Sequence, residues 1–490
     1  MGDVRFTGIM VIQDPDPDGL RDSIRAIDSL DYSNYEIYIF SMIGERKTMT
    51  ADVSPSDPFA RIIRSVSRRD NIHYMQMGYE ATPGQCINEG IRRSEGDYIF
   101  FIGQCDILSP EYLKKMEEKI VSSLLPKRPE ELSIDDIARA ASGNILRAWR
   151  DTAPDLIYSD HDELVSGIRM NPHFKGAFNR ELLIQSDYIG PAFSVSRRLL
   201  KLTGLINENA GRACLYDYLL CILTLMMKGT EVKTDHICSL LYHKRIRELP
   251  DSVRDTLRKD IYKDYVSAAK RFIQKNGIKG RIKNDSSMRY WKLERGSRDV
   301  KTHSSSYIFL RDKDISLRSG YAMEHLFSYL DGTVAAAVPL CLDDKGLIDN
   351  CGYLYDEKGN LYGACHSQSP ADPGYEGRIA LSSDISCADP GCCMLDAAIY
   401  KKLRGFMRGL GKNEMMLDYC LRARAAGFRI VYVSSVRVTR KGKADVSSTG
   451  SKDLIMKMYG PNGTSKHIRL APGDPYYNPN LPMGIDNYRF

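Results

Sequence analysis

Apolar and polar positions along residues 1 to 102 switch repeatedly between the short period of a strand and the longer period of a helix. Phe6 to Ile12 reads as a buried strand, and Leu20 to Leu30 as a helix with Leu20, Ile24, Ile27 and Leu30 near helical spacing. Tyr35 to Met42 is a second strand, Pro58 to Val66 a helix, Ile72 to Met77 a short strand and Pro83 to Arg93 a further helix. Asp97 to Ile102, built of Tyr, Ile and Phe, is a strand that must be covered on both faces. Strand, helix, strand repeated in this way calls for an α/β domain with a mostly parallel sheet, right-handed crossovers and helices on both sides. In such sheets ligands sit at the carboxyl ends of the strands, so the residues after Phe40 and after Ile102 are the places to search.

The pattern continues with a helix over Pro110 to Ala141 and a strand, Asp155 to Ser159, that ends in Ser159-Asp160-His161-Asp162. A strand at Tyr188 to Val195, a helix from Tyr216 to Met227 and a strand toward Tyr242 follow. Residues 250 to 302 carry dense charge, a helix at Ile261 to Gln274 and the polar stretch Gly296 to Ser306, the make-up of a connector. Beyond it Ser306-Tyr307-Ile308-Phe309-Leu310 echoes Asp97-Tyr98-Ile99-Phe100-Phe101, and Leu417-Asp418-Tyr419-Cys420-Leu421 echoes Tyr216-Asp217-Tyr218-Leu219-Leu220. Nothing before Tyr307 answers to the first two strand-helix units, so this second α/β module lacks the half that would hold a nucleotide. The expected division is a first domain over 1–249, a connector over 250–302, a truncated second module over 303–445 and a tail over 446–490.

A chain of 490 residues needs more than one core, and 43% apolar with 27% charged residues excludes a disordered or collagen-like polymer. The 69 Lys and Arg against 63 Asp and Glu leave +6, too small an excess over this length to argue for nucleic acid. The 12 cysteines form neither a CxxC zinc pattern nor a secreted disulfide framework and read as reduced, buried thiols. No apolar run approaches the roughly 18 to 20 residues of a membrane span, and the start carries no secretory leader, so a cytoplasmic location is expected.

Four stretches carry a family resemblance: Asn88-Glu89-Gly90-Ile91 leading to Gly96-Asp97-Tyr98-Ile99; Leu156-Ile157-Tyr158-Ser159-Asp160-His161-Asp162; Phe174-Lys175 through Asp187-Tyr188-Ile189-Gly190; and Gly427-Phe428-Arg429-Ile430-Val431. The tail Asp474-Pro475-Tyr476-Tyr477-Asn478-Pro479-Asn480-Leu481 is a fifth. In order and spacing the chain resembles family 2 glycosyltransferases of the Rossmann-like GT-A fold, especially two-module enzymes of O-antigen and rhamnan-type surface polysaccharide.

The resemblance implies transfer from a nucleotide sugar, with a divalent cation (Mg2+ or Mn2+) held by carboxylates and a carboxylate base for the acceptor hydroxyl. The family's metal motif falls on Gly103-Gln104-Cys105-Asp106, where only Asp106 is a hard ligand; capping the next helix is its alternative use. His243 matches the place of a metal-binding imidazole, although a satisfied structural His is the commoner occupant of such a position. The base position maps to Leu215 and, in the second module, to Met416, neither of which accepts a proton. Asp217 is the substitute base, set against the stronger expectation that it holds the first turn of its own helix. Asp160 and Asp162, one residue apart in extended chain, share a side and serve as donor or acceptor contacts or else form a solvated turn. Asn88 contacts sugar or phosphate, or faces solvent.

Strand two ends in Ser41-Met42-Ile43-Gly44 without the acidic pair that contacts the base in relatives. Asp312-Lys313-Asp314 is a literal DxD but reads as a self-compensated surface turn, and Arg437-Val438-Thr439-Arg440-Lys441 puts cations where the family ends in histidine. Three readings remain open: an active transferase binding a nucleotide sugar and a glycan acceptor, a non-catalytic relative that binds glycan or a partner glycosyltransferase, and, weakest, a nucleic-acid binder. Contact with a membrane, if any, is peripheral.

Overall fold

The computed structural model describes residues 4–14, 16–43, 62, 64–66, 69–124, 153–296, 306–442, 451–466, 468–484 and 487–489. The chain divides into two compact units, one of Met1–Lys175 with Ile189–Phe272, the other of Gly176–Tyr188 with Ile273–Phe490.

In unit 1 the elements run β1 (Phe6–Ile12), α1 (Pro17–Asp28), β2 (Tyr35–Ser41), β3 (Ile72–Gln76), α2 (Pro83–Arg93), β4 (Tyr98–Ile102), β5 (Ile107–Leu108), α3 (Tyr112–Leu124), β6 (Leu156–Val165) and β7 (Ile168–His173). The chain then contributes α4 (Arg180–Gln185) to unit 2 and returns for β8 (Phe193–Ser196), α5 (Arg197–Thr203), α6 (Cys214–Met227), β9 (Thr234–Ile246) and α7 (Asp251–Lys275), whose last turn passes into unit 2. The sheet order is β3-β2-β1-β4-β8-β6-β9-β5, with β7 on β6. The β3-β2-β1-β4 half is parallel, β8 is antiparallel to both neighbours, and β6 and β9 are parallel. Every residue of β1 and of β4 is buried, as expected of strands covered on both faces. Strand order reverses between β1 and β4, which sets a crevice beyond their carboxyl ends.

Local chemistry fixes the helix starts. Asp16 caps α1 by accepting from Gly19 N at 2.9 Å, with Pro17 next, and Thr82 and Gln85 form a reciprocal capping box on α2. The α/β class and mostly parallel first half match the sequence pattern. The helix expected at Pro58 to Val66 lies mainly outside the described residues, as does the Pro110 to Ala141 helix beyond Leu124. The strand expected to stop at Ser159 continues to Val165, because Asp160, His161 and Asp162 pair with Leu240, Tyr242 and His243 of β9. The strand expected over Tyr188 to Val195 is confined to Phe193–Ser196, and the helix expected from Ile261 begins at Asp251, with an Asp251–Arg254 pair in its exposed first turn.

Unit 2 contains the hairpin of β10 (Gly280–Asn284) and β11 (Trp291–Arg295), then β12 (Tyr307–Arg311), β13 (Ile315–Leu317), α8 (Ala322–Phe327), β14 (Val334–Leu342) and β15 (Ile348–Asn350). A small hairpin of β16 (Tyr353–Tyr355) and β17 (Leu361–Gly363) precedes β18 (Ser383–Ile385), β19 (Cys392–Asp396), α9 (Ala397–Lys402), α10 (Lys412–Ala425), β20 (Arg429–Arg440) and α11 (Lys452–Tyr459). Its main sheet runs β12-β19-β14-β20-β13. That order, and the sense of each pairing, is the β4-β8-β6-β9-β5 half of unit 1 over again. Glu181 of α4 is buried in this unit against Arg295 and Arg429, at 2.7 and 3.2 Å.

Candidate functional site

The turn after β4 is held from three directions. Gln104 Oε1 accepts from Gln13 N at 2.8 Å and Asp14 N at 2.9 Å, and its amide donates to Asp14 O, which ties the segments after β4 and β1 together. Cys105 sits at φ +66°, a left-handed conformation uncommon for a residue with a side chain, and its carbonyl accepts from Arg245 Nε at 3.0 Å. Asp106 turns back beneath Gly103, where a Cβ would lie 2.1 Å from its Oδ2. Only glycine fits there.

Asp106 is buried, with Oδ2 accepting from Tyr242 OH at 2.6 Å and Oδ1 from Arg245 N at 2.9 Å. Burial raises its pKa to about 6, with those two hydrogen bonds pulling the other way. Its helix-capping alternative is not what the side chain does; it fastens the end of β9 to the turn.

Asp160 and Asp162 lie within β6 and are buried, so neither belongs to a solvated turn. Register shifts on either side of Asp160 break the plain alternation, and the two carboxylates meet different partners. Asp160 Oδ1 accepts from Lys175 N at 2.9 Å and pairs with His236 Nε2 at 2.8 Å. Asp162 Oδ1 pairs with His243 Nδ1 at 2.6 Å, and Oδ2 accepts from Arg169 Nε at 2.7 Å. Between them His161 stacks on His173 at 4.3 Å, with Nδ1 unpaired among the described residues. Burial, then the nearby Lys175 cation, holds its pKa well below the ordinary histidine value. Lys175 itself is buried and donates Nζ to Ser159 O and Ile189 O, each at 2.6 Å.

Asn88 and Asp217 converge on a different place, the segment 206–208. Asn88 donates to Ile206 O at 2.9 Å and Glu208 Oε1 at 2.8 Å, and accepts from Ile206 N at 2.8 Å, so it is spent inside the fold rather than turned to solvent. Asp217, in the first turn of α6, accepts from Arg271 Nη2 at 2.6 Å and from Asn207 Nδ2 at 3.2 Å.

Sequence reading gave no role to His236, Lys175, Tyr242, Arg245 or Arg247. A usable signal was present: His243 and Arg245 are spaced by two near the end of a strand and so share a side, and Arg247 continues the spacing just beyond it. Arg245 Nη2 meets Asp22 Oδ2 and Arg247 Nη1 meets Asp14 Oδ2, both at 2.8 Å.

β5 pairs Ile107, the residue after Asp106, with His243, whose own side chain is bonded to Asp162. Among the described residues, no group of three potential ligands includes Asp106 or His243. The one such group, Cys341, Asp349 and Asp389, is in unit 2, where Arg440 already pairs with Asp349 and with Asp389 at 2.7 Å. The residues present around Asp106 do not fit a divalent ion.

The geometry is that of an α/β protein with a strand-order reversal between β1 and β4, where an amide, two arginines and their carboxylate partners meet on the segments that follow those strands. No family model matches the chain. It is 25% identical over 228 residues to the O-antigen biosynthesis protein RfbC of Myxococcus xanthus, covering 46% of this chain and 14% of that protein. It is also 25% identical over 243 residues to the uncharacterized protein y4gI of Sinorhizobium fredii (strain NBRC 101917 / NGR234), covering 48% of this chain and 22% of the other. The matches therefore span less than a quarter of either curated relative. Among solved structures it is similar to S. aureus TarS 1-349 in complex with UDP-GlcNAc, at 13% identity and TM-score 0.38 over 55% of this chain and 66% of that one. The mannosyltransferase PcManGT from Pyrobaculum calidifontis, in complex with GDP-Man and Mn2+, gives 12% identity and TM-score 0.32 over 54% and 63%.

Proposed function

We infer that the chain is a glycosyltransferase-type protein of surface-polysaccharide assembly, and that unit 1 takes a nucleotide sugar at the carboxyl ends of β1 and β4. The observation that carries this reading is the strand-order reversal between β1 and β4, with polar side chains of β9 and of the β4 turn gathered there. The RfbC similarity supports the polysaccharide context. The reaction is inverting transfer of a hexosyl or deoxyhexosyl group to a glycan hydroxyl, and the acceptor side involves the strand bearing Asp160 and Asp162. Asp217 acts as base only if Arg271 swings away from it.

A second, non-catalytic reading is favoured by one specific observation. Asp106, Asp160, Asp162 and Asp217 each already have bonded protein partners, and the family's base positions are Leu215 and Met416. In that case the crevice binds a nucleotide sugar or a glycan without turnover and serves a partner glycosyltransferase. Incubating the full chain with UDP-, GDP- and dTDP-sugars and a polysaccharide acceptor, and measuring released nucleoside diphosphate, separates the two. Acceptor-dependent release supports the transferase; binding with no release supports the second reading.

A further inference from the structure

The cation implied by the family resemblance does not fit the β4 turn. Gly103 offers no side-chain ligand and its carbonyl accepts from Asp106 N, Gln104 is spent on Gln13 and Asp14, and the Cys105 thiol is pushed up to about 12 by burial. Asp106 gives one oxygen to Tyr242 and the other to the Arg245 backbone. A diphosphate bound there still needs its charge met by something other than water.

What stands at the crevice is guanidinium. Arg245 is the penultimate residue of β9, and Arg247 follows its last residue, Ile246. Arg245 reaches Cys105 O, after β4, and Asp22 of α1; Arg247 reaches Asp14, after β1. The two forks therefore rest against the segments that follow the two strands flanking the reversal. Nη1 of Arg245, and Nε and Nη2 of Arg247, have no partner among the described residues. The side chains are 23% and 30% exposed, held in place yet open to a ligand. Arginine stays charged at any working pH and meets phosphate oxygens through paired N–H donors.

Unit 2 shows a guanidinium standing among potential metal ligands independently. There β13 pairs Ile315 with Arg440, as β5 pairs Ile107 with His243 in unit 1. Arg440 lies buried among Asp349, Asp389 and Cys341, where a cation would otherwise sit.

We propose that Arg245 and Arg247 bind the diphosphate of the nucleotide directly, displacing Asp14 and Asp22, so that binding needs no divalent cation. This rests on the reading of unit 1 as a nucleotide-sugar site. The full chain is titrated with UDP, GDP and dTDP in EDTA and again in Mn2+, alongside Arg245→Gln, Arg247→Gln and the matching nucleosides. Expected is binding of at least one nucleotide in EDTA, little changed by Mn2+ and weakened about ten-fold or more in each variant. Nucleoside binding should stay as in the unsubstituted chain, which excludes general unfolding, and Arg247→Gln removes only one part-exposed ion pair. Binding that requires Mn2+, or variants that bind the nucleotide as well as the unsubstituted chain, overturns the proposal and leaves the nucleotide-sugar reading intact. Failure of every nucleotide to bind overturns both.

Discussion

Asp106 shows how a buried carboxylate can be wholly engaged by its own fold. As a ligand it would have to be ionised and open; here it is enclosed, and its pKa is raised from 3.8 to about 6. A raised carboxyl pKa means the folded state holds the proton more tightly, so its contribution to stability is greatest in acid and is lost as pH rises through about 6. Asp106→Asn removes the buried charge and keeps groups that can bond Tyr242 and Arg245. Relative to the unsubstituted chain, the variant should gain on the order of 3 kcal/mol between pH 4 and pH 7, read from urea unfolding midpoints. Taking the difference cancels His161, whose depressed pKa acts in the opposite sense. A gap that stays constant with pH contradicts the buried, bonded Asp106. Its position was legible because strand, turn and Asp are contiguous. Its partners were not, since Tyr242 and Arg245 lie more than a hundred residues further along.

At the scale of elements, sequence periodicity located β1, α1, β4 and α6 well because each buries a regular apolar face. β6 was cut short: Asp160-His161-Asp162 looks like the polar end of a strand, whereas paired histidines and a lysine let the strand carry those residues into the interior. α2 makes a comparable demand through Asn88, which satisfies both backbone groups of Ile206. Asn88→Ala would leave buried donors and acceptors unpaired and should destabilise unit 1 by about 2 to 4 kcal/mol, seen as a lower urea midpoint. An unchanged midpoint would place Asn88 outside the structural framework and return it to ligand contact.

At the scale of the whole molecule, the echo between Tyr98 to Phe101 and Tyr307 to Leu310 falls on strands that hold corresponding places in two sheets of the same order. That order depends on pairings across long stretches of sequence, which a local pattern does not encode. Of the cations in Arg437 to Lys441, Arg440 is buried against Asp349 and Asp389. Arg440→Ala would leave Asp349 and Asp389 bridged by Asn350 but without a countercharge and should cost unit 2 about 3 to 5 kcal/mol. Added Zn2+ should restore part of that loss in the variant and shift nothing in the unsubstituted chain, by thermal melting; equal Zn2+ responses would mean Arg440 is not the occupant of that cluster.

Calorimetric titration of the full chain with UDP-, GDP- and dTDP-sugars tests the central claim most directly, that the crevice beyond β1 and β4 holds an activated sugar. Saturable binding of one sugar nucleotide at a single site per chain is the expected result. No heat with any of the three, in a sample whose unfolding transition is intact, would contradict it.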